Sequence, residues 1–256
     1  MEKRFVGKVA LVTGATNGIG QATAVRLAAE GALVGVNQRP TGDPTETLRR
    51  ISAAGGEAFP VVADMRNPGQ VIAMVQEVAQ RGGRLDYLVS NAAINPFMAW
   101  NETSVESWDE LCETNLRGTW IVTTEAAKQM VREGHGGAIV CVSSISAHVG
   151  APGQTAYCAT KGGISMLAKA LGAVVGEHGI RVNAVEPGAI RTNMSAPLWD
   201  AGPEVMKYYL DRIATHRIGE PEEMAGVIAF LLSDDASYVT SATLLADAGF
   251  IVNAEL

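Results

Sequence analysis

Lys8-Val9-Ala10-Leu11-Val12-Thr13-Gly14-Ala15-Thr16-Asn17-Gly18-Ile19-Gly20 is the stretch on which the fold turns. Residues 8–12 are a short apolar run with the length of a buried strand. The glycines that follow make a turn, and residues 21–30 carry a helical pattern. Strand, glycine-rich turn and helix open a dinucleotide-binding unit. Glycine lets the backbone come close to a pyrophosphate, and a helix N-terminus offers free N–H groups and a positive dipole end. The spacing is Gly-x-x-x-Gly-x-Gly rather than the better-known Gly-x-Gly-x-x-Gly, so a turn that merely needs left-handed backbone reads the same at this point.

Moving outward, the alternation continues. Strands are expected at 32–37, 57–63, 85–89, 138–142, 180–185 and 243–246. Helices are expected at 45–54, 68–80, 104–131, through 155–175 and at 221–232. The pattern predicts an α/β fold: a doubly wound, Rossmann-type parallel sheet of seven strands with helices on both faces. It reads as a single catalytic domain over 1–256, with no internal repeat. Residues 193–215, with Pro197, Trp199, Gly202 and Pro203, are the least regular and read as a substrate lid of short helices. In such sheets ligands bind at the carboxyl ends of the strands.

Those strand ends carry informative residues. After the second strand stands Asn37-Gln38-Arg39, with no acid for a ribose 2′-hydroxyl. Arg39 suits a 2′-phosphate, which favours NADP over NAD, unless it is only a solvated loop residue. Asp64 either contacts adenine or caps the helix near Pro68. Asn115 lies inside a helical run, where Asn is a poor choice. Tyr157 and Lys161 are four residues apart and share a helix face. An ammonium beside a phenol lowers the phenol pKa from about 10 and equips it for proton transfer. A lone Tyr-x-x-x-Lys arises often by chance, so the pair counts only with the features around it.

Composition sets bounds. The 256 residues are 47% hydrophobic and 18% charged, enough for a large buried core. A net charge of −7 argues against a nucleic-acid surface. Cys112, Cys141 and Cys158 are too scattered for a disulfide framework or zinc site, and no metal is expected. Residues 1–7 do not resemble a signal peptide and the apolar stretches are interrupted by glycine or charge, so no membrane span and a cytoplasmic location are expected.

Taken together these residues resemble the short-chain dehydrogenase/reductase family over nearly the whole length. The resemblance rests on residues 13–20, Asn91-Ala92, Asn115, Ser144, Tyr157 with Lys161, and Pro187-Gly188 with Thr192, in the family's order. Ser144 is thirteen residues before Tyr157, the family's usual offset. The resemblance implies Tyr157 as acid/base, Lys161 lowering its pKa and binding the nicotinamide ribose, Ser144 holding the substrate oxygen, and Asn115 holding a relay water. It implies a pyrophosphate site at Gly14, Gly18, Ile19 and Gly20, with Asn91 by the ribose, Asp64 by the adenine and Thr192 by the carboxamide. Thr16, Asn17, Met65, Pro187, Gly188 and Ile190 complete the implied cofactor set, and a homotetramer is the implied assembly. Two departures put a methyl where the family has a hydrogen, at Ala93 and Ala248. Members that use NADP commonly carry Arg or Lys where Asn17 stands.

For the substrate, residues 144–150, 154–157 and 237–250 resemble bacterial aldose 1-dehydrogenases of the L-rhamnose and glucose type. Asn95, Ser144, Ser146, Gln154, Tyr157 and Asn193 are the candidate substrate contacts, since buried sugar hydroxyls need partners. His148, Trp100 and Trp199 are weaker candidates that read equally as structural. The expectation is oxidation of an aldose at C1 to a lactone. The alternative is reduction of 3-oxoacyl thioesters in the same site, which wants a basic entrance and finds only residues such as Arg191. A nucleotide-sensing scaffold without turnover is the third reading, disfavoured by the intact Tyr157, Lys161, Ser144 and Asn115.

Overall fold

A computed structural model describes residues 3–253. Seven strands form one sheet: β1 (Val9–Val12), β2 (Leu33–Gln38), β3 (Glu57–Val62), β4 (Tyr87–Ser90), β5 (Gly137–Val142), β6 (Ile180–Pro187) and β7 (Thr243–Ala246). Their order is β3-β2-β1-β4-β5-β6-β7 and every pairing is parallel. The chain winds outward from β1 to β3, then returns to place β4 on the other side of β1. That reversal opens a crevice at the carboxyl ends of β1 and β4.

The strands are apolar on both faces because helices cover both. Successive side chains alternate between two cores. Val9, Leu11, Leu88, Ile139 and Cys141 face α3 (Pro68–Gly82), α5 (Gly118–Glu133) and α6 (Thr155–Val175). Ala10, Val12, Val89, Ala138 and Val140 face α1 (Gly18–Ala29), α2 (Thr45–Ala53) and α9 (Pro221–Leu232). Helix starts are written locally. The Asn67 side chain accepts from the Gln70 amide at 3.1 Å with Pro68 in the first turn, so Asn67 and not Asp64 caps α3. Glu220 and Glu223 form a capping box at α9.

The stretch 104–131, expected to be long and mostly helical, is helical in three pieces. It is α4 (Val105–Leu111), a π-helical turn at Cys112–Arg117, then α5. A π turn inserts a residue into the ladder and turns the following side chains. Asn115 lies inside it. Thr155–His178, which is α6 with the turn after it, has the length and mean hydropathy (1.2) of a membrane-crossing helix, contrary to the expectation that no segment would. Here it is the crossover from β5 to β6; Ile164 and Ala168 are buried against the sheet, and Tyr157 and Lys161 are buried too.

Arg181 of β6 closes the opposite end of α9. Its guanidinium donates to the carbonyls of Leu231 (2.7 Å), Leu232 (3.1 Å), Ser233 (3.0 Å) and Val239 (3.3 Å). The last carbonyls of a helix have no intrahelical donor, and a cation there also meets the negative dipole end. Arg181→Ala leaves these half-buried acceptors short of partners. The expected loss is about 2–4 kcal/mol, read as a lower denaturant midpoint at unchanged slope.

Candidate active site

A cleft of about 1010 Å³ runs over the carboxyl ends of the strands. One half is lined by Gly14, Thr16, Asn17, Gly18, Ile19, Arg39, Asp64, Met65 and Asn91. Its floor is backbone packed on backbone. Gly14 has φ +60°, and a Cβ there would lie 2.8 Å from the Ala92 Cα. A Cβ on Gly20 would lie 2.4 Å from the Gly14 carbonyl and 2.5 Å from the Asn91 amide nitrogen, so Gly20 shapes the cleft from behind rather than lining it. Asn91 holds the turn by donating to the carbonyls of Thr13 (2.9 Å) and Gly14 (3.1 Å). Asn37 does the same from β2, accepting from the Gly14 amide at 3.1 Å and donating to the Ala63 carbonyl at 3.3 Å. α1 begins at this wall with no acidic residue in its first turn. A glycine floor at an uncharged helix N-terminus fits a pyrophosphate.

At the far end of this half, the Arg66 guanidinium binds Asp64 at 2.7 Å and holds its carboxyl below the usual carboxylate range. Arg39 has no ion-pair partner among the described residues and is exposed at the cleft rim.

The other half holds Ser144, Tyr157 and Lys161 together, with Pro187, Gly188, Ile190 and Thr192 beside them. Tyr157 and Lys161 come from the first turns of α6, as their spacing predicts. Ser144 follows β5 with extended backbone, and its oxygen accepts from the Ser146 amide at 3.1 Å. Tyr157 is buried, and burial pushes its phenol above the ordinary value, against the lowering effect of a hydrogen bond with Ser144. The lowering expected from Lys161 is not found. The Lys161 ammonium lies 5.4 Å from the Tyr157 ring centroid and donates to the Val142 carbonyl at 2.8 Å. Burial pushes Lys161 itself down to about 8.

Asn115 is fully buried and does not line the cleft. Its carboxamide pairs with the main chain of Ile94, accepting from N–H at 2.8 Å and donating to C=O at 2.9 Å, and it meets the Thr160 hydroxyl at 3.4 Å. The side chain thus fastens the loop after β4 to α6.

Among the candidate substrate contacts, Asn95, Ser146 and Gln154 line this half; Ser146 donates to Gln154 at 3.2 Å. The Asn95 carboxamide oxygen is buried with no hydrogen-bond partner among the described residues. Asn193 is exposed and outside the lining, while its neighbours Thr192 and Met194 are in it. Trp199 lines the cleft; Trp100 is 80% exposed and does not. His148 also lies outside the lining and is bound to Glu186 at 2.7 Å.

Residues 193–215 fold into α7 (Ala196–Asp200) and α8 (Pro203–Arg212) at the cleft mouth. The sequence reading missed their partner. Phe250, Ile251 and Asn253 of the tail line the same mouth, with Phe250 stacked on Tyr209 and Trp199 edge-on to Tyr209. Asp247 bends the tail there by accepting from the amides of Gly249 (2.9 Å) and Ile251 (2.8 Å). An Asp-x-Gly turn was the available signal.

A family model described as enoyl-(acyl carrier protein) reductase matches residues 14–251. An L-rhamnose 1-dehydrogenase (NAD(P)(+)) from a Sphingomonas species is 41% identical over 98% of this chain and 99% of its own. A 3-oxoacyl-acyl-carrier-protein reductase from Staphylococcus aureus is 38% identical over 94% of this chain and 97% of its own. Among solved structures, a putative 2-deoxy-D-gluconate 3-dehydrogenase from Agrobacterium tumefaciens with bound NADP superposes with a TM-score of 0.89. It is 36% identical, over 98% of this chain and 100% of that one.

Proposed function

Because the chain belongs to the short-chain dehydrogenase/reductase family, we propose that this NAD(P)-dependent oxidoreductase oxidises the anomeric C1 hydroxyl of an aldose to a lactone. The observation that carries the reading is the company Tyr157 keeps. Ser144 and Lys161 stand beside it, and the neutral hydrogen-bonding groups of Asn95, Ser146 and Gln154 line the same half of the cleft. A polyol needs such groups, because each hydroxyl buried without a partner is costly. The sugar dehydrogenase at 41% identity supports the same substrate class.

A nicotinamide held in the cleft would supply the acceptor for the hydride that leaves C1. The rest of the work falls to the chain. Ser144 holds the C1 oxygen. Tyr157 takes its proton, which positioning makes a within-complex step. Lys161 supports the phenolate form of Tyr157 whenever its ammonium is turned toward it. Asn115 holds the loop after β4, and the relay water is proposed beside it. Thr16, Asn17, Gly18, Ile19, Met65, Asn91, Pro187, Gly188, Ile190 and Thr192 are proposed to hold the cofactor, with Arg39 on a 2′-phosphate, so that NADP is preferred and NAD accepted. α7 and α8 are proposed as the lid.

The thioester-reductase reading has the Staphylococcus relative in its favour. Against it stands the pairing of the residue considered for a basic entrance: Arg191 meets Glu220 at 3.3 Å, on an acidic chain. The assembly proposed is a homotetramer in the cytoplasm, with exposed Trp120 of α5 and Met166 and Val174 of α6 offering apolar surface.

The test is reduction of NAD or NADP by L-rhamnose, L-fucose, D-glucose and D-galactose, followed by absorbance. Sugar-dependent reduction, faster with NADP, is the expected result. No reduction with any of them, together with NADPH oxidation by an acetoacetyl thioester, would replace the aldose reading by the alternative.

A further inference from the structure

Glu186 is a carboxylate sealed inside the protein, with its side chain 1% exposed at the end of β6. Neither its burial nor its partners are used by the chemistry above. One oxygen accepts the Ser165 hydroxyl at 2.7 Å. The other meets Nε2 of His148 at 2.7 Å. Ser165 stands one helical turn beyond Lys161 on α6, and its oxygen is 2.8 Å from that of Ser143, which also reaches the Lys161 carbonyl at 2.9 Å. A buried carboxylate is an acceptor only, so Ser165 and the His148 ring both donate to it. Charge-assisted bonds of this length are the strong ones, and a carboxylate buried without them would be expensive.

The three elements joined here are those that carry the reacting groups. Ser143 precedes Ser144. Ser165 and Lys161 lie on the helix of Tyr157. Glu186 precedes Pro187 and Gly188 at the cleft wall. His148 belongs to the loop that begins at Ser144 and ends at Gln154, immediately after the short turn Ile145–Ala147. Between His148 and Gln154 the loop bonds mostly to itself, through Val149 N–H to Ile145 (3.1 Å) and Gln154 N–H to Ala151 (3.1 Å); outside itself, Gly153 accepts from the Met98 amide at 3.0 Å, and the Val149 carbonyl lies 3.8 Å from Cys158 Sγ. We propose that His148 and Glu186 form a latch. It holds the Ser144–Gln154 loop to β6 and, through Ser165 and Ser143, keeps Ser144, Ser146 and Gln154 in register with Tyr157 and Lys161. His148 is then a positioning residue, separate from the sugar-contacting role considered for it from the sequence. Only the kinetic consequence rests on the aldose reading; the latch itself does not.

Two readouts separate these. Cys158 lies under the loop and is partly accessible, Cys141 is fully buried, and Cys112 can be removed as Cys112→Ser. In that background the rate at which Cys158 reacts with a thiol reagent reports loop opening. His148→Ala removes a charge-assisted bond and is expected to speed Cys158 labelling about 10- to 100-fold. Cys141 should stay unreactive, which excludes general unfolding. His148→Gln places an amide N–H near the position of Nε2 and is expected to label within about twofold of wild type. On whichever aldose the wild type turns over, His148→Ala should lower kcat/KM about 10- to 100-fold, mainly through KM, with cofactor affinity unchanged and His148→Gln restoring most of it. Unchanged labelling in His148→Ala, or equal labelling in both variants, overturns the latch. Faster labelling with unchanged kcat/KM overturns its positioning role. If the wild type oxidises no aldose, the functional reading fails and the labelling alone decides the latch.

Discussion

Tyr157→Phe is expected to lower kcat by about 10³-fold while cofactor affinity and thermal stability stay near wild type. The phenol oxygen is the one atom of the residue given a chemical task, and general acid–base catalysis by a placed side chain contributes about 10²–10⁴-fold. The ring has a separate, structural task. It is buried with Leu111 and Ala156 in a small apolar cluster, against which Ile94 and Met98 pack. Phenylalanine fills that space without the hydroxyl. What is lost on the folding side is the hydrogen bond with Ser144, worth about 1 kcal/mol, and this is offset because burial already disfavoured the polar group. Titration with reduced cofactor by fluorescence, beside steady-state rates, gives the comparison. A variant that keeps a tenth or more of wild-type kcat would take the proton-transfer role away from Tyr157. A variant that loses cofactor binding as well would show that the ring, not the hydroxyl, is what the site needs.

The parallel sheet and the positions of its strands were legible in the sequence because parallel strands covered on both sides read as apolar runs separated by helices. The Tyr157–Lys161 pair was legible for a similar reason: one helical turn separates its members. The glycine floor was visible as glycines, but which glycine faces the ligand and which supports it from behind needed three dimensions. Gly20 presses on Gly14 and Asn91, contacts that join the first helix to the fourth strand. The rest of the site is built from pairs far apart in the chain. His148 and Glu186 are 38 residues apart, Asn115 and Ile94 are 21, and Tyr209 meets Phe250 across β7. No local period announces such pairs. Asn115 did leave a mark, as a poor helix former inside a helical run, and the structure answers with a π turn there. The direction of the Lys161 ammonium left none. Helical spacing puts it near Tyr157, but the Val142 carbonyl at the end of β5 competes for it.

That competition makes Lys161→Met the more telling variant: inactive, yet more stable than wild type at neutral pH. Lys161 is 2% exposed, and among the described residues its ammonium has one hydrogen-bond acceptor, the Val142 carbonyl. Burial pushes its pKa from 10.5 down to about 8. A displacement of that size means the folded protein disfavours the charged form by about 3 kcal/mol relative to the unfolded chain. Methionine occupies the same apolar stem space without the charge. The Val142 carbonyl loses its donor, which returns about 1–2 kcal/mol of the gain. The net expectation is a stabilisation of about 1–2 kcal/mol at pH 7, read from urea midpoints of the ligand-free proteins. The pH dependence fixes the cause. Below pH 8 the lysine is protonated in both folded and unfolded states, so the penalty is fully present. Between pH 8 and 10.5 the folded state releases its proton first, the unfolded chain binds more protons, and wild-type stability rises with pH. The advantage of Lys161→Met therefore shrinks across that window and reverses near its middle, at about pH 9. Tyr157, whose folded value is raised, begins to cost stability above about pH 10, but it does so in both proteins and largely drops out of their difference. A stability difference that stays flat from pH 7 to 10 would mean that Lys161 carries no burial penalty. A difference that shrinks as described, in a variant without turnover, means that the fold carries a cation it would be more stable without. A strained group of that kind is kept for chemistry rather than for folding.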